Sequence, residues 1–246
     1  MHSNLGSRMK EYEENNPATN NGVNIIRLDG KAFHTWTRKV TGNKNPFSSV
    51  IHECMVSATI ELAKEVQGFK LAYTQSDETT LLMENLSEKT EAWFGGKPQK
   101  IISVASSIFT YAFNNRFRYY IDTFGYPNVP AYFDARVHSI PVDDAANNFV
   151  WRQKDWHRNS IQMLGQYYLT HAEMQRLSND QVIEFLRESR DIDWHELEDW
   201  KRYGTFVAKN HQDPESYGPY VSFSDYLDYR DASIHAGISQ YIDWSE

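Results

Sequence analysis

Apolar positions along this chain fall into short continuous runs that alternate with stretches of helical spacing. The run VNIIRL (23–28) is β-branched and apolar, ends at Asp29–Gly30, and predicts a buried strand. After the polar loop TRKVTGNKNP, residues 47–66 place Val50, Ile51, Met55, Ala58, Leu62 and Val66 at helical spacing, and Gly68 stops that helix. FKLAYTQ (69–75) and TTLLME (79–84) predict two strands of a hairpin with SDE between them. Residues 98–114, from Pro98 through IISVASSIFTYAF, predict a second helix despite their β-branched content, and AYFDARVHSI (131–140) predicts a fourth strand closed by Pro141.

The order strand, helix, strand, strand, helix, strand is the split βαβ pattern of ferredoxin-like folds, an α+β class with helices on one face of the sheet. In that arrangement the first and third strands lie side by side at the sheet centre. The exit of the first strand then meets the hairpin that opens the third, so Asp29 and Asp77, 48 residues apart, become neighbours. Beyond residue 145 the pattern is helical, in AANNFVWRQKDWHRNSIQMLGQYYL and SNDQVIEFLRES. From about residue 190 the tail is rich in Trp and Tyr with irregular polar segments. The expected division is residues 1–145 and a helical region, 146–246, packed on them.

Composition alters this picture little. The chain has 246 residues, 40% of them hydrophobic, which allows one large domain or two small ones. It has one cysteine, Cys54, which rules out an intramolecular disulfide or a cysteine zinc cluster and reads as a buried small residue. No apolar run is long enough to span a bilayer, and MHSNLGSRMKEYEENN has no signal-peptide core. The expectation is a soluble, cytoplasmic protein with no membrane partner. Charge is more informative. Residues 1–160 hold 18 Lys and Arg against 17 Asp and Glu, whereas residues 161–246 hold 7 against 16. The net charge of −8 therefore sits in the C-terminal third, and the balanced remainder is compatible with a basic groove for nucleic acid.

Two carboxylates meeting at a sheet edge suit a hard, oxygen-seeking ion such as Mg²⁺, and two such ions serve phosphoryl chemistry. Gly30 would let backbone approach an ion or phosphate. Asp29–Gly30 and Ser76–Asp77–Glu78 are equally compatible with ordinary turns. Cations cluster nearby: Arg27, Lys31, His34, Arg38, Lys39 and Lys44 around Asp29, and Lys97 and Lys100 in GGKPQK. Each alone reads as a surface charge; together with the acids they suggest a triphosphate or nucleic-acid site. WRQKDWHRNS (151–160) places Arg152, Asp155, His157, Arg158 and Asn159 together, either to hold a 5′-phosphate or to cap a helix. HExxH, Walker and GxSxG patterns are all missing.

Taken together, LGSRMKEYE, IIRLDGKAFHTWTR, LAYTQSDETTLLM, EAWFGGKPQKIISVASS, FDARVHSIP and WRQKDWHRNSIQML resemble the tRNA-His guanylyltransferase family, in order across residues 5–165. The resemblance implies a polymerase-palm catalytic domain over 1–145 and nucleotide addition to a tRNA 5′ end in the 3′-to-5′ direction. A nucleoside triphosphate first activates the 5′-phosphate. It further implies two Mg²⁺ ions on Asp29, Gly30 and Asp77, with Asp29 and Asp77 catalytic. A nucleotide, GTP or ATP, would lie against Asp29, Gly30, Lys31, Ala32, Phe33, His34, Ser76 and Asp77. Arg27, Lys44, Lys97, Lys100, Arg152, His157 and Asn159 are the candidates for phosphate or tRNA contact. A homo-oligomer, dimer or tetramer, is implied as well. One departure bears on substrate: eukaryotic members carry His-Ile-Asn-Asn where this chain has His157-Arg158-Asn159-Ser160. That resembles bacterial and archaeal relatives, which tend toward template-directed repair of truncated tRNA. The competing readings are another palm-type enzyme such as a nucleotide cyclase, and a catalytically idle tRNA-binding module.

Overall fold

The computed structural model describes residues 4–19, 21–42, 45–86, 91–210 and 219–224. At its centre is β1 (Gly22–Gly30), buried on both faces from Val23 to Ile26 and again at Leu28, with Arg27 and Asp29 only partly buried. It pairs antiparallel with β3 (Glu78–Asn85) on one side and β4 (Phe133–Ile140) on the other, with Asp29 opposite Glu78 and Asp134. The strand β2 (Phe69–Gln75) joins β3 through a two-residue turn, Ser76–Asp77, and the order β4-β1-β3-β2 is that of the split βαβ sheet. The predicted adjacency of the first and third strands is therefore present.

Strand alternation sorts the apolar residues into two cores. Ile26, Leu28, Ala72, Leu81 and Met83 face α3 (Ser49–Glu65) and α4 (Pro98–Phe124). Val23, Ile25, Leu71, Tyr73, Leu82 and Ile140 face the opposite way, onto Met9 of α1 (Asn4–Asn15) and onto Ala145, Phe149 and Val150 of α5 (Ala145–Tyr168). The two helices inside the βαβ units share one face as expected. The terminal helices cover the other, because a sheet apolar on both sides needs two covers. Burial of Trp156, Ile161 and Leu164 then binds the far half of α5 to α7 (Asn179–Arg190).

Several elements differ from the sequence expectation. The helix α4 runs to Phe124 because Phe113, Phe117 and Tyr120 continue its buried stripe, and Gly125, at φ 70°, caps it. A short helix, α2 (Phe33–Thr41), occupies part of the expected polar loop, burying Phe33, Trp36 and Val40. The tail is not only helical: beyond α6 (His171–Met174) and α8 (Asp199–Tyr203), β5 (Thr205–Lys209) and β6 (Tyr220–Phe223) extend the same sheet beyond β2. Phe206 and Val207 lie in the short run TFVAK between Gly204 and Asn210, a strand signal that the irregular polar segments around it obscured. Among the described residues no helix is long and apolar enough to cross a membrane.

Candidate active site

Asp29 ends β1 and Asp77 completes the β2–β3 turn, and the backbone N–H of Gly30 donates to the carbonyl of Asp77 at 3.1 Å. Both carboxylates line a cleft of about 360 Å³ closed on its other side by α5. Ser76 adopts φ 48°, and its hydroxyl donates to Asp77 Oδ1 at 3.0 Å. Burial, and next the charge of Asp29, push the Asp77 carboxyl up to about 6, against the pull of the Ser76 hydroxyl. A carboxyl whose ionisation is made costly by burial and by a neighbouring acid belongs to a donor set that a hard cation relieves. Among the described residues no group of three His, Cys, Asp or Glu has metal-holding geometry. A cation at Asp29 and Asp77 would thus draw its remaining oxygens from backbone, water or substrate, which is how Mg²⁺ binds beside phosphates.

The facing wall is one stripe of α5: Arg152, Asp155, Trp156, Asn159, Gln162, Met163 and Gln166. Arg152 does not stand free for a phosphate. It is buried, and donates from Nε and Nη2 to the two carboxylate oxygens of Glu78 at 2.6 and 2.7 Å. Asn159 lines the cleft, as expected. His157 points away from it, edge-on to Trp194 with ring centroids 4.8 Å apart, and burial lowers its basicity.

A second cleft of about 450 Å³ opens on the other side of the Ser76–Asp77 turn, between α2, α3 and the C-terminal region. His34 lines it, with Thr37, Asn45, Phe47, His52 and Trp200. Trp200 stacks on His52 at 4.2 Å and 11°. Burial brings the His52 imidazole down to about 4, so this wall is neutral at ordinary pH. Phe33 touches the cleft but is mainly a core residue, 4.6 Å from the Trp36 ring and edge-on to Phe113. A Cβ on Gly30 would lie 2.4 Å from the Phe33 ring, so only glycine fits there. Lys31 and Ala32 form the exposed turn into α2, with Ala32 at φ 50°.

Three expected phosphate contacts lie elsewhere. Arg27 pairs with Glu13 of α1 at 2.7 Å and is not among the lining residues of either cleft. Lys97 and Lys100 open α4, which leaves from the end of the sheet that β3 reaches at Asn85. The part of α4 beside the carboxylate end is near Phe109, whose ring meets Phe133. A rise of about 1.5 Å per residue puts Lys97 roughly 18 Å further back. Lys44 lies outside the described residues. The residues missed were Glu78, His52, Trp200 and most of the α5 stripe. The stripe had a legible three-and-four spacing; His52 and Trp200 had no signal, being far apart in sequence.

A family model described as tRNAHis guanylyltransferase matches residues 6–141. Among curated relatives, the uncharacterized protein R259 of Acanthamoeba polyphaga mimivirus is 28% identical over 228 residues, covering 83% of this chain and 77% of that protein. A probable tRNA(His) guanylyltransferase of Dictyostelium discoideum is 30% identical over 156 residues, 62% of this chain and 58% of that protein, so the match spans little more than half of that relative. Among solved structures, a bacterial tRNA(His) guanylyltransferase-like protein in complex with ATP superposes with a TM-score of 0.79 at 30% identity, covering 97% of this chain and 99% of that one. Another such structure, in complex with GTP, gives a TM-score of 0.71 at 28% identity with 97% of each chain covered.

Proposed function

The chain belongs to the tRNAHis guanylyltransferase family, and we propose that it adds nucleotides, GTP preferred, to the 5′ end of a tRNA in the 3′-to-5′ direction. The observation that carries this reading is the placement of Asp29 and Asp77 on adjoining backbone, both open to one cleft at the sheet end. In the first step an oxygen of the tRNA 5′-phosphate attacks the α-phosphorus of a nucleoside triphosphate, ATP or GTP, and pyrophosphate leaves. In the second, the 3′-hydroxyl oxygen of the incoming nucleotide attacks the activated 5′-phosphorus. A nucleoside monophosphate leaves, and the hydroxyl proton passes to solvent.

Asp29, Asp77 and the Gly30 carbonyl would hold two Mg²⁺ ions, which supply charge neutralisation for the attacking and leaving oxygens. The chain's own groups do the rest. Ser76 holds the Asp77 carboxylate in place through its hydroxyl. The first turn of α2 leaves the amides of Phe33 and His34 outside the helical ladder, facing a triphosphate laid along Lys31 and Ala32. The aromatic wall of the second cleft takes the base, because His52 there carries no positive charge to attract phosphate. Asn159 lies across the carboxylate cleft, where the RNA end would enter. Residues 1–145 form the palm-like catalytic domain and 146–246 the region packed on it, which supplies the α5 wall and Trp200. The working protein is cytoplasmic and a homo-oligomer, dimer or tetramer.

The test offers purified protein, Mg²⁺ and labelled GTP two substrates, a full-length tRNA-His and a tRNA lacking its first nucleotide opposite a templating C. Extension of the truncated tRNA alone identifies a repair enzyme, the outcome that Arg158 and Ser160 favour. Extension of tRNA-His without regard to template identifies a guanylyltransferase. Extension of neither rejects the proposal.

A further inference from the structure

The carboxylate cleft contains more acid than this chemistry uses. Asp29, Asp77, Glu78 and Asp155 line it against one basic side chain, Arg152. Arg152 is 7% exposed; besides its two bonds to Glu78 at 2.6 and 2.7 Å it donates to Asp155 at 3.2 Å. Its guanidinium lies over the Trp151 ring, 4.6 Å from the centroid, which fixes its plane. Asp155 has Arg158 as a second cation. Among the described residues Asp29 and Asp77 have no such ion pair.

We propose that Arg152 sorts these acids: it closes Glu78 and Asp155 into ion pairs, leaves Asp29 and Asp77 as the pair open to divalent cations, and ties the Asp77 turn to α5. The inference rests on the metal reading above. A planar fork takes up the inner lone pairs of both carboxylate oxygens at once, so Glu78 cannot chelate a cation through its two oxygens and its charge is already neutralised. Glu78 adjoins Asp77 in the chain, and a freed Glu78 would draw an ion away from the position between the strands. Arg152 is thus a positioning residue that acts through Glu78 and Asp155, and its charge is not available to the substrate.

The experiment counts Mn²⁺ ions bound per full-length chain, without RNA, by titration followed in the spin signal of the free ion. The variants are Arg152→Met, Arg152→Met with Glu78→Gln, and Asp29→Asn. Arg152→Met is expected to bind more Mn²⁺ than the wild type while 5′-end extension falls about 100-fold, the usual cost of a misplaced reacting group. Adding Glu78→Gln is expected to return the count to the wild-type value. An unchanged count with an unchanged affinity in Arg152→Met overturns the inference, as does a loss confined to KM for RNA, which would make Arg152 an RNA contact. Should Arg152→Met not melt cooperatively, Arg152→Lys replaces it. A lone ammonium covers one Glu78 oxygen at a time, so extra Mn²⁺ is expected there too, and a wild-type count is fatal. A count that Asp29→Asn leaves unaltered sinks the metal reading itself; one that depends on Asp29 but not on Arg152 sinks only the sorting role.

Discussion

The amide of Gly30 donates to the carbonyl of Asp77 at 3.1 Å, so the end of β1 and the tip of the β2–β3 turn are one rigid corner. A carboxylate is carried on each side of that bond, on Asp29 and on Asp77, so the bond fixes the spacing of the two backbones that bear them.

Removing either acid should therefore abolish chemistry without unfolding the protein. Asp29→Asn and Asp77→Asn are expected to lower the extension rate by at least about 100-fold, the scale of losing charge stabilisation at a reacting phosphate. Their melting temperatures should equal or exceed that of the wild type in EDTA, since a like-charge contact is relieved. Rates near wild type in either variant would defeat the proposed roles.

The base pocket has its own signature. Trp200→Ala removes the ring stacked on His52, and base stacking on an aromatic is worth about 1–3 kcal/mol. KM for the triphosphate should rise by roughly 5- to 150-fold, with tRNA affinity unaltered. A change in tRNA binding alone would relocate Trp200 to an RNA surface.

Phe33 should behave as a core residue. It is 5% exposed and packs on Trp36, Phe113 and Phe133. Phe33→Ala is expected to cost about 3–5 kcal/mol in denaturant unfolding, and Phe33→Leu far less, with little effect on nucleotide KM. Full stability in Phe33→Ala, coupled to lost nucleotide affinity, would reverse that assignment.

Stability should fall on mild acidification because of His138. Among the described residues its two buried ring nitrogens have no hydrogen-bond partner, and burial, with Arg27 and Arg136 adding and Glu13 opposing, takes its pKa from 6.5 to about 4. The folded state thus holds the neutral form, while the unfolded chain takes up a proton near the ordinary imidazole value of about 6.5. The contribution is fully present above pH ~6.5 and is lost as pH falls toward ~4, on the order of 3 kcal/mol. His138→Leu should flatten the unfolding free energy over that window. An equally steep slope in the variant would place the titration elsewhere, His52 being the next candidate.

Salt provides a check on the tRNA surface. Phosphate contacts release counterions, so tRNA affinity should drop steeply, by about 10³-fold or more for six or more contacts, between 50 and 200 mM salt. Lys97→Gln with Lys100→Gln should leave nucleotide KM unchanged, because both sit at the opposite end of the sheet from Asp29. A raised nucleotide KM in that pair would contradict their placement.

The sequence by itself determined the four-strand order and the meeting of Asp29 with Asp77. Both follow from local signals: β-branched runs, a helical apolar repeat, a short turn, and the few ways such elements can stack. It also contained the motifs DGKAFH and TQSDE that carry the family resemblance. Only the tertiary structure decided which charged groups are free. Arg152 reads in sequence as an available cation, and its loss to Glu78 depends on α5 crossing the sheet face 74 residues away in sequence. Arg27 and His157 are withdrawn in the same manner, by Glu13 and Trp194. Lys97 and Lys100 are misplaced by direction, since a helix returning along the sheet starts at the end its strand has just reached. The second cleft is built from His52 and Trp200, which no spacing links. Local pattern fixes what an element is, whereas partnership between charges and rings is set by packing between elements remote in sequence.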